Sequence, residues 1–167
     1  MDKLELTLHK TTRGYFGQQV AFEIPMSIYP AKSKCIIINS PGASEPKDGR
    51  KNRWDTLGRH LQQKEIATFI TYNPPPPDAE GKFPTEPFSC QDTSWNQLLV
   101  ESLAHVIDYT LENSKDICDL DSPTIYLAGF SAGGSTCGAI AYLYPQVERI
   151  LLVSAYDSVG DVFYNGI

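Results

Sequence analysis

Three short apolar runs constrain this chain more than anything else in it. Cys35-Ile36-Ile37-Ile38-Asn39, Thr124-Ile125-Tyr126-Leu127-Ala128 and Ile150-Leu151-Leu152-Val153-Ser154 are nearly continuous in hydrophobicity rather than alternating. Such runs read as strands covered on both faces, the pattern of a parallel sheet. Ile66 to Tyr72 reads as a further strand. Helical spacing fills the gaps. Trp54, Leu57 and Leu61 fall on one face of a helix expected to end near Gln63. Trp95, Leu98, Leu99, Leu103, Val106, Ile107 and Leu111 repeat at steps of three and four, predicting a helix to about Asn113. Ser94 and Gln97 have the spacing of a capping box at its start. A small-residue helix is expected from Ser135 to Tyr144, stopped by Pro145. Strand and helix in this alternation imply a parallel α/β sheet with right-handed crossovers.

The N-terminal part differs. Leu4-Glu5-Leu6-Thr7-Leu8 and Val20-Ala21-Phe22-Glu23-Ile24 alternate with period two and flank the turn-rich Arg13 to Gly17, which predicts an antiparallel hairpin. The segment from Pro74 to Asp92 contains six prolines and no periodic apolar pattern; a loop of that length in a compact domain is functional or disordered. At 167 residues, with 41% hydrophobic and 20% charged residues, the chain has the balance of one folded domain, 1–167.

Charge and cysteine usage narrow the function classes. The net charge of −6 argues against a general nucleic-acid binder, which needs clustered Lys and Arg. The basic cluster Lys47 to Arg53 is short, interrupted, and reads as a solvated loop. No stretch approaches the length of a membrane span, and Met1 to Glu5 lacks the apolar core of a signal peptide. The four cysteines, at 35, 90, 118 and 137, are widely spaced and fit reduced thiols and a cytoplasmic location.

Chemistry concentrates at Gly129-Phe130-Ser131-Ala132-Gly133, a G-x-S-x-G pattern that follows an apolar strand and opens a helix. In that setting a sharp strand-to-helix turn holds the serine in a strained conformation that admits only small neighbours. Its Oγ then stands at the positive end of a helix dipole. A glycine-rich turn that merely closes a strand is the plainer alternative.

On these residues the chain resembles the α/β-hydrolase superfamily, and the resemblance runs over its whole length. It implies a mostly parallel, three-layer sheet with an N-terminal antiparallel hairpin, ending after the sixth strand. It implies Ser131 as nucleophile, framed by the elbow glycines Gly129 and Gly133. Pro41-Gly42-Ala43 falls where the family often has His-Gly, so the N–H groups of Ala43 and Ala132 would hold an oxyanion. Asp157 follows the last strand, where some members of the superfamily carry the triad acid; capping the next turn is its other reading. The family order is nucleophile, acid, histidine, yet no histidine follows Ser131. His9, His60 and His105 all precede it. His105 falls on the polar face of its helix with Glu101, Asp108 and Glu112 and reads as a solvated group. His60 lies beside Leu57 and Leu61 and reads as partly packed.

The resemblance thus implies a serine hydrolase acting on an ester, thioester or amide, a small-molecule acyl substrate, with no metal or organic cofactor. Without its histidine, this exact chain is expected to be inactive or very weak. Truncation, reduction to a non-catalytic homologue, and completion by a second chain each explain the missing part, with the first two preferred. In all three the sixth strand would be a bare sheet edge through which two copies could pair. A non-catalytic binding module on the same scaffold is the alternative function. A phosphate-binding Rossmann-like reading of Gly129 to Gly134 is weaker, because that turn comes late in the chain and G-x-G-x-x-G is absent.

Overall fold

The protein is described by a computed structural model at residues 2–14, 16–42, 45–73 and 95–153. Six strands form one sheet: β1 (Leu4–Arg13), β2 (Gln19–Tyr29), β3 (Cys35–Ser40), β4 (Thr68–Tyr72), β5 (Thr124–Phe130) and β6 (Val147–Val153). Their spatial order is β1-β2-β4-β3-β5-β6. β1 pairs antiparallel with β2, and β2 antiparallel with β4. The β4–β3, β3–β5 and β5–β6 pairs are all parallel. The expected hairpin followed by a parallel sheet is therefore present. Both hairpin strands outrun their alternating cores, because β2 continues through Pro25 to Tyr29 to pair with β4.

Register explains the layering. Ile28, Ile70, Ile38 and Leu127 stand side by side across β2, β4, β3 and β5 on one face. Against that face pack α2 (Trp95–Cys118), through Leu98, Leu99, Leu103, Val106 and Ile107, and α3 (Ala132–Ile140), through Cys137 and Ile140. The next row, Tyr29, Phe69, Ile37 and Tyr126, faces the other way. There α1 (Arg53–Gln63) covers β2 and β4. Helices on both faces of a mostly parallel sheet make three layers, as the sequence pattern implied.

Several boundaries depart from expectation for identifiable reasons. α2 runs on to Cys118, past the polar Asn113 to Asp116, because Ile117 and Cys118 return to the core; it stops where Asp119 turns left-handed (φ 57°). Ser94 lies outside the described residues, and Gln97 uses its amide to tie α2 to Thr12 of β1 at 2.8 Å. α3 begins at Ala132, three residues before the expected Ser135, and gives way at residues 141–143 to a 3-10 turn. β4 starts at Thr68 because Glu65 (φ 52°) is a left-handed turn residue and Ile66 is exposed.

The largest correction concerns α1. The Trp54, Leu57 and Leu61 stripe is not its buried face, and Leu57 is exposed. Its one buried residue is Gly58, where an added Cβ would stand 2.5 Å from the Tyr29 ring. The helix thus sits flat on an aromatic ring, a contact that no apolar periodicity can signal. Asp55 locks it there, accepting from the Tyr29 hydroxyl at 2.7 Å and from Lys3 at 3.0 Å. Its Arg59 partner comes first among the causes that hold the Asp55 carboxyl well below the usual range.

The basic cluster is solvated at Arg50, Lys51 and Asn52, as expected, but not at Lys47. Lys47 donates to Glu5 at 2.8 Å and to Ser27 at 2.7 Å, and its carbonyl accepts from Thr71 at 2.7 Å. Cys35, Cys118 and Cys137 are unpaired thiols, while Cys90 lies outside the described residues. Among the described residues, no helix is long and apolar enough to cross a membrane.

Candidate functional site

β5 ends at Phe130, and the chain turns directly into α3 at Ser131. This serine occupies the N-cap with φ 53° and ψ −122°, a conformation that costs a non-glycine residue about 1–3 kcal/mol and persists only where its surroundings impose it. Here they do. The Ser131 N–H donates to the Val153 carbonyl of β6 at 2.9 Å. The Ser131 carbonyl accepts from Gly134 at 2.9 Å and Ser135 at 3.3 Å, starting the helix. The Thr136 hydroxyl closes the first turn onto the Ala132 carbonyl at 2.9 Å.

The two elbow glycines are required by packing. A Cβ on Gly129 would lie 2.5 Å from the Gly134 Cα and 2.6 Å from the Gly133 carbonyl oxygen. One on Gly133 would run into the carbonyl oxygens of Ser40 and Pro41, at the end of β3. α3 therefore presses its first turn against both β5 and β3. Ala132, as first residue of α3, has an N–H ahead of the intrahelical ladder. Such a group at a helix N-terminus favours developing negative charge.

The loop after β3 comes to the same place. At Gly42 an added Cβ would lie 3.1 Å from Phe130 and 3.5 Å from the Ser131 Cβ. The expected oxyanion turn thus adjoins the expected nucleophile, although Gly42 and Ser131 are 89 positions apart in sequence. Ala43 and Asp157 lie outside the described residues. The loop resumes at Glu45, whose N–H donates to the Gly42 carbonyl at 3.1 Å.

Sequence reasoning missed the groups that hold this loop. Glu45 is buried and paired with Arg53, at 2.7 Å from one carboxylate oxygen and 2.9 Å from the other. Burial pushes the Glu45 carboxyl up, but hydrogen bonds from Arg53 and the Arg50 amide outweigh it and leave the group below its ordinary range. The Arg53 guanidinium lies 4.5 Å from the Phe130 ring centroid and 4.4 Å from that of Trp54. Glu45 and Arg53 stand eight positions apart across a turn and the short 3-10 segment Arg50–Asn52, so no helical or strand period pairs them in advance.

None of the three histidines joins Ser131. His9 and Glu23 face each other across the hairpin, 3.2 Å apart and exposed. His60 is exposed on α1. His105 corrects its expectation: it is half-buried, with its ring 6.1 Å from that of Phe22. Burial first, then Lys10, depress its pKa, against the opposing pull of Asp108 and Glu101. His9 and His105 line a cleft of about 640 Å³ on the hairpin. β2 and β5 are three strand spacings apart, about 14 Å, so that cleft and the elbow are separate places.

No family model matches this sequence, and no relative among curated proteins is recognisable by sequence. Solved structures speak to the fold. DcsB, determined with a substrate analogue, is 17% identical and superposes over 91% of this chain and 46% of its own, with a TM-score of 0.59. The α/β hydrolase GrgF from Penicillium sp. sh18 is 17% identical over 90% of this chain and 46% of its own, with a TM-score of 0.57. One of two fungal esterases from Rhizomucor miehei is 19% identical over 90% of this chain and 44% of its own, at 0.50. The chain has the α/β-hydrolase fold. It spans less than half the length of these structures.

Proposed function

We propose that this chain carries the nucleophile half of a serine hydrolase that cleaves an ester, thioester or amide. The carrying observation is the backbone of Ser131, strained at φ 53° and ψ −122° on the N-terminus of α3 beside Gly42. In this reading a base removes the Ser131 hydroxyl proton as Oγ bonds the substrate carbonyl carbon. The carbonyl electron pair moves onto oxygen, held by the N–H groups of Ala132 and Ala43. The tetrahedral intermediate then expels the alcohol, thiol or amine, which takes up the proton, and water repeats the sequence on the acyl-serine. Asp157 is the proposed acid that orients the base. The base itself is a histidine outside these 167 residues, since none follows Ser131 and the three present lie elsewhere.

The chain alone is therefore inactive or very weak, because an unassisted serine hydroxyl is a poor nucleophile at neutral pH. Intact-mass labelling with a fluorophosphonate probe tests this. Labelling is expected to be slow, to accelerate with added imidazole as surrogate base, and to vanish in Ser131→Ala. Modification that persists in the variant would overturn the assignment of Ser131. The lack of any histidine after Ser131, with His9 and His105 at the hairpin cleft and His60 exposed on α1, favours a second reading, a binding module on the same scaffold. Failure to label even with imidazole would support it.

A further inference from the structure

We propose that Arg53 is the positioning residue that sets the separation of the Gly42 loop from Ser131, acting through Glu45 on one side and Phe130 on the other. The proposal rests on the hydrolase reading above for its functional meaning, though not for its geometry. One Arg53 nitrogen, Nη2, contacts both carboxylate oxygens of Glu45, at 2.7 and 2.9 Å, and Glu45 keeps only 4% of its side chain exposed. The same carboxylate accepts from the Arg50 N–H at 3.2 Å, and the Glu45 N–H returns to the Gly42 carbonyl at 3.1 Å. Glu45 therefore ties the oxyanion turn to the start of α1.

The other half of the contact reaches the nucleophile. The Arg53 guanidinium stacks 4.5 Å from the Phe130 ring, and Phe130 is bonded directly to Ser131. The space beside Gly42, where a side chain would begin, is filled by the same ring at 3.1 Å. A single cation thus bridges the two backbone segments whose spacing would decide whether an oxyanion donor meets a tetrahedral intermediate. An arginine suits this place better than a lysine. Its guanidinium is a broad, delocalised cation that meets Glu45 through Nη2 while its carbon lies 4.5 Å and 4.4 Å from the Phe130 and Trp54 ring centroids. A lysine ammonium is instead a compact, strongly hydrated point charge. A buried carboxylate left without its cation is costly, so the loop would rearrange rather than keep it in place.

Hydrogen–deuterium exchange on the full chain and on Arg53→Lys, Arg53→Ala and Glu45→Gln provides the test. Amides of Glu45, Gly49, Arg50 and Asn52, together with those of Ser131, Gly134 and Ser135, are expected to exchange about ten-fold faster or more in Arg53→Ala. Arg53→Lys is expected to free the Ser131 group while partly protecting the Glu45 group; β2 amides should stay unchanged in both. An unchanged loop, or acceleration spread equally over β2, would overturn the proposal, the latter by showing simple loss of stability. Exchange needs no catalysis, so this outcome stands whether or not the fluorophosphonate probe labels Ser131. Where imidazole-assisted labelling is seen, Arg53→Lys should lower its maximal rate with little change in half-saturating probe concentration; the reverse split would assign Arg53 to probe binding instead.

Discussion

The Ser131 N–H donates to the Val153 carbonyl at 2.9 Å, which hangs the elbow of β5 on the last described residue of β6. The strained residue is thus held from two directions, by β6 through its amide and by α3 through its carbonyl. β6 in turn pairs only with β5 among the described residues, and Ile150, Leu151, Leu152 and Val153 are all exposed. The most demanding backbone conformation in the site rests on the least covered strand. That combination makes the elbow sensitive to whatever lies against β6.

Self-pairing is one expected consequence. If two copies align antiparallel about Ile150, Val147 meets Val153, Glu148 meets Leu152 and Arg149 meets Leu151, so no like charges stand directly opposite one another. Sedimentation equilibrium should show a concentration-dependent dimer that Leu151→Lys weakens. A monomer at every concentration, or a dimer indifferent to Leu151→Lys, would remove β6 as the interface.

The glycines of α3 should separate cleanly. Gly133→Ala forces a methyl group into the Ser40 and Pro41 carbonyls and is expected to cost about 3 kcal/mol or to prevent folding. At Gly138 an added Cβ meets nothing within 4 Å, so Gly138→Ala should gain up to about 1 kcal/mol from helix propensity. Thermal melts of the two variants decide the matter; equal destabilisation would mean that the close approach of α3 to β3 is not real.

Gly58→Ala tests the seating of α1. Propensity alone favours alanine by about 1 kcal/mol in a helix interior, yet its Cβ would press on the Tyr29 ring at 2.5 Å. The expected net result is a lower Tm. A higher Tm would show that α1 is not seated on Tyr29.

Protonation of His105 should destabilise the fold in a defined window. Its folded pKa lies below the ordinary 6.5, chiefly through burial, so the unfolded chain binds the proton more readily. The His105 contribution is intact above pH 6.5 and is lost as pH falls from there through the folded value. His105→Gln should flatten the Tm-versus-pH curve in that interval, and an unaltered curve would contradict the buried placement against Phe22. Glu45 titrates with the same sign in the carboxylate range: its stabilisation is present above the ordinary value of 4.5 and is lost as pH falls through the lower folded one. Glu45→Gln should remove that step.

Much of this protein was legible in one dimension. The apolar runs at Cys35 and Thr124 reported strands covered by the layers around them, because such a strand has no polar side to show. The run at Ile150 corrects that reading, since it forms β6 but its residues are exposed, with β6 paired to β5 alone among the described residues. The α2 periodicity located its buried leucines, and Gly129-Phe130-Ser131-Ala132-Gly133 marked the elbow, because a strained turn tolerates so few side chains. These are local constraints, each written within a single strand, helix or turn. The burial of Gly58 on Tyr29, the pairing of Glu45 with Arg53 and the packing of His105 against Phe22 were not legible. Each depends on a partner brought near by the sheet order β1-β2-β4-β3-β5-β6, and several kinds of residue would satisfy the local pattern equally well. The sequence by itself determined the class of sheet and the identity of the strained serine, since backbone sterics and hydrophobic period act between near neighbours. Only the tertiary structure decided what stands around that serine, because the Gly42 loop, Arg53 and Val153 reach it across strands whose order no local pattern encodes.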